Sequence, residues 1–360
     1  MPLPILKANS RGLSAPGGPG QVSMRPRGNA WSRAPLRLWL VCAGLMLLPP
    51  CLTGAAAQPA RGRLKSLGTL LGADAPYVFP EKLTVSRAHK FYLLDTELRT
   101  IFAGERARGE VTRLCEPGAL GRISDMTVDP QENLWVLDPT KAKIARLDAR
   151  CQVRATFTAD RSPLRLQANA FGEVVVLTGE GDALFDLYSA AGKRLRRFGQ
   201  RLRYGNPTAD HELSNGHLVA DNAGGFYFSF NYPPLVQHYD RGGRLLSEFR
   251  PASERPIGPP DISVRQQGNM YAVTSRYPIL VLDMALDKFN RLYLLTSGED
   301  KSRALNQGSR KIVVTSGRGK VLRALDLEAT SFHRLAAGAD GSLYLLRNRR
   351  PYQLERYALP

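Results

Sequence analysis

The chain has 360 residues, 43% of them hydrophobic, and a formal net charge of +18. That apolar content excludes wholesale disorder, and the length admits one large domain or two ordinary ones. The charge favours anionic partners over cationic ones.

Residues 1–57 carry Lys7, Arg11, Arg25, Arg27, Arg33 and Arg37 and no acidic residue. An apolar run, Leu38 to Leu48, follows the arginines and ends at Pro49 and Pro50. A bilayer span needs about 20 apolar residues, so the run predicts a cleavable signal and no stable transmembrane anchor. Ala55-Ala56-Ala57 supplies the small-residue cleavage pattern, which makes Gln58 the expected mature start. Met24 is a second candidate for the true initiator, since the basic leader is long. A lipid anchor needs a small residue before Cys51, and Pro50 stands there. The expected location is the periplasm or the extracellular space, which makes nucleic acid a poor partner. Removing the six leader cations leaves 44 basic against 32 acidic residues, so the remainder stays basic.

Beyond the leader the chain repeats itself. The stretch TVDPQENLWVLD, starting at Thr127, has a short apolar run, a polar turn and a second apolar run. The second run returns as FYLLD, VVVL, FYFS and twice as LYLL, and its second residue is Tyr92, Trp135, Val175, Tyr227, Tyr293 or Tyr344. The spacings of 43, 40, 52, 66 and 51 residues suit one four-stranded unit with variable loops. Further strand pairs follow each run, such as KIARLDA with CQVRATF and LVQHYDRGG with RLLSEFR. The predicted fold is all-β, a six-bladed β-propeller with blades at about 81–116, 122–159, 163–199, 215–250, 280–327 and 332–359. The last copy stops after a third strand, YQLERYAL. Residues 63–71 precede the first blade without one of their own, and are expected to close the ring as the missing outer strand. Residues 58–360 therefore read as a single domain.

The turns DPQENLWV from Asp129 and DGSLYL from Asp340, with the Phe198-Gly199 blade end, resemble those of NHL-repeat six-bladed propellers. The resemblance implies architecture more than activity, because that fold hosts lyases, lactonases and pure binders.

Two cysteines remain after the leader's Cys42 and Cys51: Cys115 and Cys151. An even number in an oxidising compartment raises a disulfide. The repeat aligns Cys115 with Phe157, at the end of an outer strand, and Cys151 with Gly109, at the start of one. Six residues at ~3.3 Å each separate such ends by about 20 Å along a blade edge. A bridge needs Cα atoms within about 7 Å, so two free thiols are expected unless the register is off.

Connections between second and third strands, and between blades, emerge on one face of a propeller. All three long insertions fall there: residues 200–215, 251–279 and 296–310. Within the second, ISVRQQGNMYAV predicts an added hairpin. Loops on a rigid scaffold commonly carry binding, so this face is the expected working surface. Its arginines and tyrosines suit anionic or carbohydrate-like ligands, or a partner protein. The candidate ligand-binding residues are Arg203, His211, Arg265, Tyr271, Arg276 and Arg303. Asp210-His211-Glu212, with His217 and His333, lacks any recognised ligand spacing and reads as a solvated loop. No Gly-x-Ser-x-Gly elbow, phosphate-cradling loop or Cys-x-x-Cys pair occurs.

The expected function is an exported binding or scaffold propeller without a cofactor. Its alternative is a metal-dependent, gluconolactonase-like hydrolase or lyase at the channel mouth, using Ca²⁺ or Zn²⁺. Glu81, Asp125, Asn215 and Asp283, with His333 beside them, are the only metal set that the inner-strand starts offer.

Overall fold

The computed structural model describes residues 60–71, 79–105, 111–116, 121–205, 207–231, 235–251, 262–267, 270–275, 281–297, 309–327, 332–347 and 352–359. The leader lies outside them. Among the described residues no helix is long and apolar enough to cross a membrane.

Six antiparallel blades form a β-propeller. Blade one holds β3 (Pro80–Val85), β4 (Lys90–Asp95), β5 (Thr100–Glu105) and β6 (Val111–Arg113); blade two holds β7 (Asp125–Val128), β8 (Leu134–Asp138), β9 (Lys143–Leu147) and β10 (Val153–Thr158). Blade three is β11 (Pro163–Ala168), β12 (Val174–Thr178), β13 (Ala183–Tyr188) and β14 (Arg194–Gln200). Blade four is β15 (Gly216–Ala220), β16 (Phe226–Phe230), β17 (Val236–Tyr239) and β18 (Leu245–Phe249). Blade five is β21 (Val281–Leu286), β22 (Arg291–Ser297), β23 (Ser309–Ser316) and β24 (Val321–Asp326). Blade six has β25 (Phe332–Ala337), β26 (Ser342–Arg347) and β27 (Leu354–Ala358), and β2 (Ser66–Leu71) completes it. The innermost strands contact one another in an unbroken circle, β3 to β7 and onward through β25 back to β3.

Closure therefore follows the expected route, with one addition. Just before β2, β1 (Ala60–Arg63) pairs in parallel with β24, from Ala60 against Arg323 to Arg63 against Asp326. The amino-terminal segment thus holds two blades. It adds a fifth strand to blade five, then supplies the outer strand of blade six.

The second strand of each blade is apolar throughout because both its faces are covered by neighbouring blades. Phe91, Leu93 and Leu94, like Trp135 and Leu137, lose all their exposure. Cores are shared: Tyr92 and Leu94 of blade one pack with Met126, Leu134 and Val136 of blade two. Each such buried large side chain contributes roughly 1.5–3 kcal/mol. The polar turns are held by Asp side chains. Asp129 accepts hydrogen bonds from the backbone N–H of Gln131 and Asn133, each at 2.9 Å, and from the indole N–H of Trp135 at 3.0 Å. Polar and apolar residues of the turn motif are therefore one unit.

The cysteines correct the free-thiol expectation. Cys115 and Cys151 form a disulfide with Cα atoms 5.4 Å apart. The repeat alignment holds, but the separation along one blade edge was the wrong measure. Successive strands twist, so an outer strand ends against the outer turn of the following blade. Phe157, Phe198 and Phe249 pack in this way on Gly192, Gly243 and Gly319 of the next blades, where a Cβ would collide with the ring. Cys115 stands where Phe157 does, and Cys151, with φ of 62°, stands where Gly192 does, with φ of 80°. The disulfide is the first-to-second blade version of that contact.

The insertion after blade three contains a short helix, α1 (Pro207–Leu213), and the next contains the expected hairpin, β19 (Ile262–Gln267) with β20 (Met270–Ser275). The helix lies against both hairpin strands. Most of the third insertion, residues 298–308, lies outside the described residues.

Candidate functional site

An innermost strand leaves one edge of backbone N–H and C=O groups facing the channel. Those groups need partners, and the side chains of adjacent blades supply some of them. One register position does this repeatedly. Lys82 lies opposite Leu94, Asp125 opposite Leu137, Arg165 opposite Leu177, His217 opposite Ser229, Asp283 opposite Leu295 and Arg334 opposite Leu346. The six residues form a ring, one per blade, on the loop-rich side where the inner strands begin. In blades one, three, five and six the register slips immediately before the ring residue. A bulge of this kind re-aims a side chain.

The ring contains the same trio twice. Lys82 Nζ lies 3.0 Å from Asp125 Oδ1, and Asp125 Oδ2 accepts the backbone N–H of Leu166, which follows Arg165, at 2.9 Å. In the other half, His217 Nδ1 lies 3.3 Å from Asp283 Oδ1. Asp283 Oδ2 accepts the backbone N–H of Leu335, which follows Arg334, at 2.8 Å. Base, aspartate and arginine therefore recur in order, half a turn apart.

Burial pushes the His217 imidazole below its usual value, overriding the hydrogen bond and charge of Asp283, so the ring is neutral at pH 7. Burial opposes ionisation of Asp283 too, but the His217 contact and the charges of Arg334 and Lys82 win and hold it at about 2. Burial likewise lowers Arg334; the charge of Arg165 adds to this, and Asp283, Glu81 and Asp125 oppose it. Three permanent cations thus face two carboxylates in the ring. Lys82 is paired, and Arg334 donates to the backbone oxygens of Glu81 and His333. Arg165 has no hydrogen bond or ion pair among the described residues.

A cavity of about 250 Å³ runs from Lys82 and Asp283 of the ring towards the short-turn side, lined by all six inner strands. His333, next to the ring, directs its Nε2–H to the carbonyl of Pro80 at 3.2 Å, and burial with the charge of Arg334 lowers it to about 3.

Of the proposed metal set, Asp125 and Asp283 enter the ring on opposite sides, with oxygens occupied by Lys82, His217 and backbone N–H groups. The Asn215 Oδ1 accepts the N–H of Gly216 at 2.8 Å. Glu81 sits one residue before Lys82. Among the described residues no three His, Cys, Asp or Glu side chains are grouped to hold a metal ion, so the donors present do not fit one.

Of the loop-face candidates, Arg203 pairs with Asp182 and, at 3.4 Å, with Asp210. His211 on α1 has Nδ1 3.0 Å from the carbonyl oxygen of Gly179. Both side chains brace the insertion against blade three. Arg265 and Tyr271 fall on β19 and β20, with side chains outside the description, and Arg276 and Arg303 lie outside the described residues. Sequence reasoning reached Asp125 and Asp283 as inner-strand starts and named His217 beside a loop, but did not single out Lys82, Arg165 or Arg334. The signal was there: each ring residue immediately precedes the Leu or Met that turns into the core.

Fold and ring define a six-bladed β-propeller with a charged channel mouth. No protein-family model matches the chain, and no curated protein matches it. Among solved structures it is similar to a gluconolactonase from Xanthomonas campestris, with 16% identity, 85% of this chain and 96% of that one covered, and a TM-score of 0.52. A streptogramin B lyase gives 12%, 80%, 95% and 0.51. A chain of a mitotic checkpoint complex gives 11%, 89%, 98% and 0.53. At these identities the likeness is one of fold.

Proposed function

We propose that this protein is an exported, NHL-like propeller that binds an anionic ligand at the loop-rich mouth of its central channel. The observation that carries this reading is Arg165, a guanidinium in the channel ring that makes no ion pair among the described residues. Such a fork suits carboxylate, phosphate or sulfate oxygens. Export rests on the basic leader with its apolar run and Ala-Ala-Ala site. The Cys115–Cys151 disulfide supports it, because such bonds persist in oxidising compartments. The insertions carrying α1 and the β19–β20 hairpin surround the same face, and would frame a ligand or a partner protein.

A thermal-shift series at constant ionic strength tests this, with citrate, sulfate, phosphate and heparin added to the purified protein. Binding to the folded state raises the midpoint with concentration. No rise with any anion would remove the reading.

The His217–Asp283 contact favours a second reading, a hydrolase or lyase with the imidazole as proton acceptor. Asp283 fixes the Nδ1–H tautomer and leaves Nε2 as the free base. The gluconolactonase likeness suggests lactones as the first substrates to try. Turnover that disappears in His217→Gln would establish it; turnover unchanged in that variant would refute it.

A further inference from the structure

The two halves of the ring place their arginines in opposite blades, Arg165 in the third and Arg334 in the sixth. We infer that the channel mouth binds a compact dianion, held between Arg165 and Arg334 as the two walls of one clamp. The inference rests on the anion-binding reading above and specifies its ligand.

Three features carry it. First, both arginines occupy the same register position, after the same kind of bulge, and so approach the channel in equivalent ways. Second, the charge of Arg165 is felt at Arg334, so the two walls are like charges that repel. An anion between them removes that repulsion and gains two guanidinium contacts at once. Third, the carboxylates that would otherwise quench the pair are engaged elsewhere. Asp125 is taken by Lys82 and the N–H of Leu166; Asp283 is taken by His217 and the N–H of Leu335. Asp283, Glu81 and Asp125 still draw on Arg334, whereas Arg165 makes no ion pair among the described residues.

The pairing has a consequence for ligand charge. A monoanion satisfies one guanidinium and leaves the other facing a positive neighbour across the channel. A doubly charged group, either a tetrahedral oxyanion or a short dicarboxylate, answers both. Arg165 offers its guanidinium fork, while Arg334, whose Nε and Nη1 donate to the backbone oxygens of Glu81 and His333, offers Nη2. Behind the ring, a cavity of about 250 Å³ that begins at Lys82 and Asp283 leaves room for the solvent of a small ligand held at the clamp.

The experiment is isothermal titration of the full purified protein with inorganic phosphate, sulfate, succinate and acetate at fixed ionic strength. Arg165→Gln, Arg334→Gln and Arg334→Lys are titrated beside it, and circular dichroism melts confirm that each variant is folded. Arg197→Gln, outside the channel, is the control. The expected result is one site, with phosphate, sulfate or succinate at least tenfold tighter than acetate. Either glutamine variant should lose at least tenfold, Arg334→Lys should lose less, and the control should lose nothing. Acetate as tight as the dianions, or sensitivity to Arg165 alone, would overturn the clamp while leaving anion binding standing. Heparin or citrate binding without any response to these four anions would also overturn the clamp alone. If no anion binds, both readings fall. Should Arg334→Gln not fold, the Arg165→Gln and Arg334→Lys results decide the matter.

Discussion

Cys151 meets Cys115 across the same inter-blade contact in which Gly192 meets Phe157 one blade later. One solution is covalent and the other is an aromatic ring on a glycine turn. The covalent one closes a segment with a sequence separation of 36 residues. Chain-entropy arguments assign such a bridge about 3–4 kcal/mol. Reduction, or the Cys115→Ser/Cys151→Ser pair, should therefore lower the melting temperature. The Cys115→Phe/Cys151→Gly pair, which copies the neighbouring blades, should recover part of the loss. Melts with and without reductant check this, and a wild-type melt indifferent to reductant would contradict it.

The Asp129 carboxylate serves two backbone donors and the buried indole of Trp135. Asp129→Ala leaves those donors without their partner. At about 1–3 kcal/mol for the buried indole donor left unmade, and less for the two part-buried backbone donors, the loss should be about 2–4 kcal/mol. Asp129→Asn keeps one acceptor oxygen and should cost less. Urea unfolding of the two variants gives the comparison, and equal midpoints would remove the indole from the account.

Strands β1 and β2 differ in what they hold. Deleting residues 60–63 removes only the fifth strand of blade five and should lower the melting temperature by a few degrees. Leu71→Asp places a charge at a buried position of the closing strand, against the blade-one and blade-six core. That change should cost several kcal/mol, because an unpaired charge would be buried, and should open the ring to aggregation. Size-exclusion profiles and melts of both variants distinguish them; the reverse order of severity would mean that β1 is the principal closure.

His333 and His217 are both held below the ordinary histidine value of about 6.5, mainly by burial. Below that value the unfolded chain takes up protons that the folded chain refuses. Stability is full above pH 6.5 and falls as the pH drops below it, by up to about 1.4 kcal/mol per pH unit for each histidine, and His333 goes on contributing to the loss down to about 3. Asp283 adds its own loss only as the pH falls from the ordinary carboxylate range through about 2. Midpoints measured from pH 7.5 to 4 should decline, and His333→Gln should flatten the slope. An unchanged slope in that variant and in His217→Gln would place the acid sensitivity elsewhere.

The blades were legible in the sequence because the second strand is buried on both faces and must be apolar. Its turn also carries an aspartate a few residues before the strand, two in the case of Asp340 and five in that of Asp129. The closing strand was legible from simple counting, since the chain ended one strand short. Two of the six ring residues, Asp125 and Asp283, were visible as strand-start carboxylates. Arg165 and Arg334 escaped because a metal-ligand criterion at the strand starts selects carboxylates and amides, and arginine is neither. The disulfide escaped for a related reason: distance along a strand is encoded locally, whereas twist between strands accumulates across the whole blade.

The seam of the ring has a mechanical character of its own. In the antiparallel β2–β27 pair, Ser66 lies against Tyr357 and Leu71 against Leu354. Tension applied to the two chain ends would therefore peel this pair open one bond at a time, the weakest way to load a ladder. The β1–β24 pairing sits between that seam and everything upstream. A pull arriving through the residues before Ala60 is taken up first by blade five, and the seam is loaded only after β1 lets go.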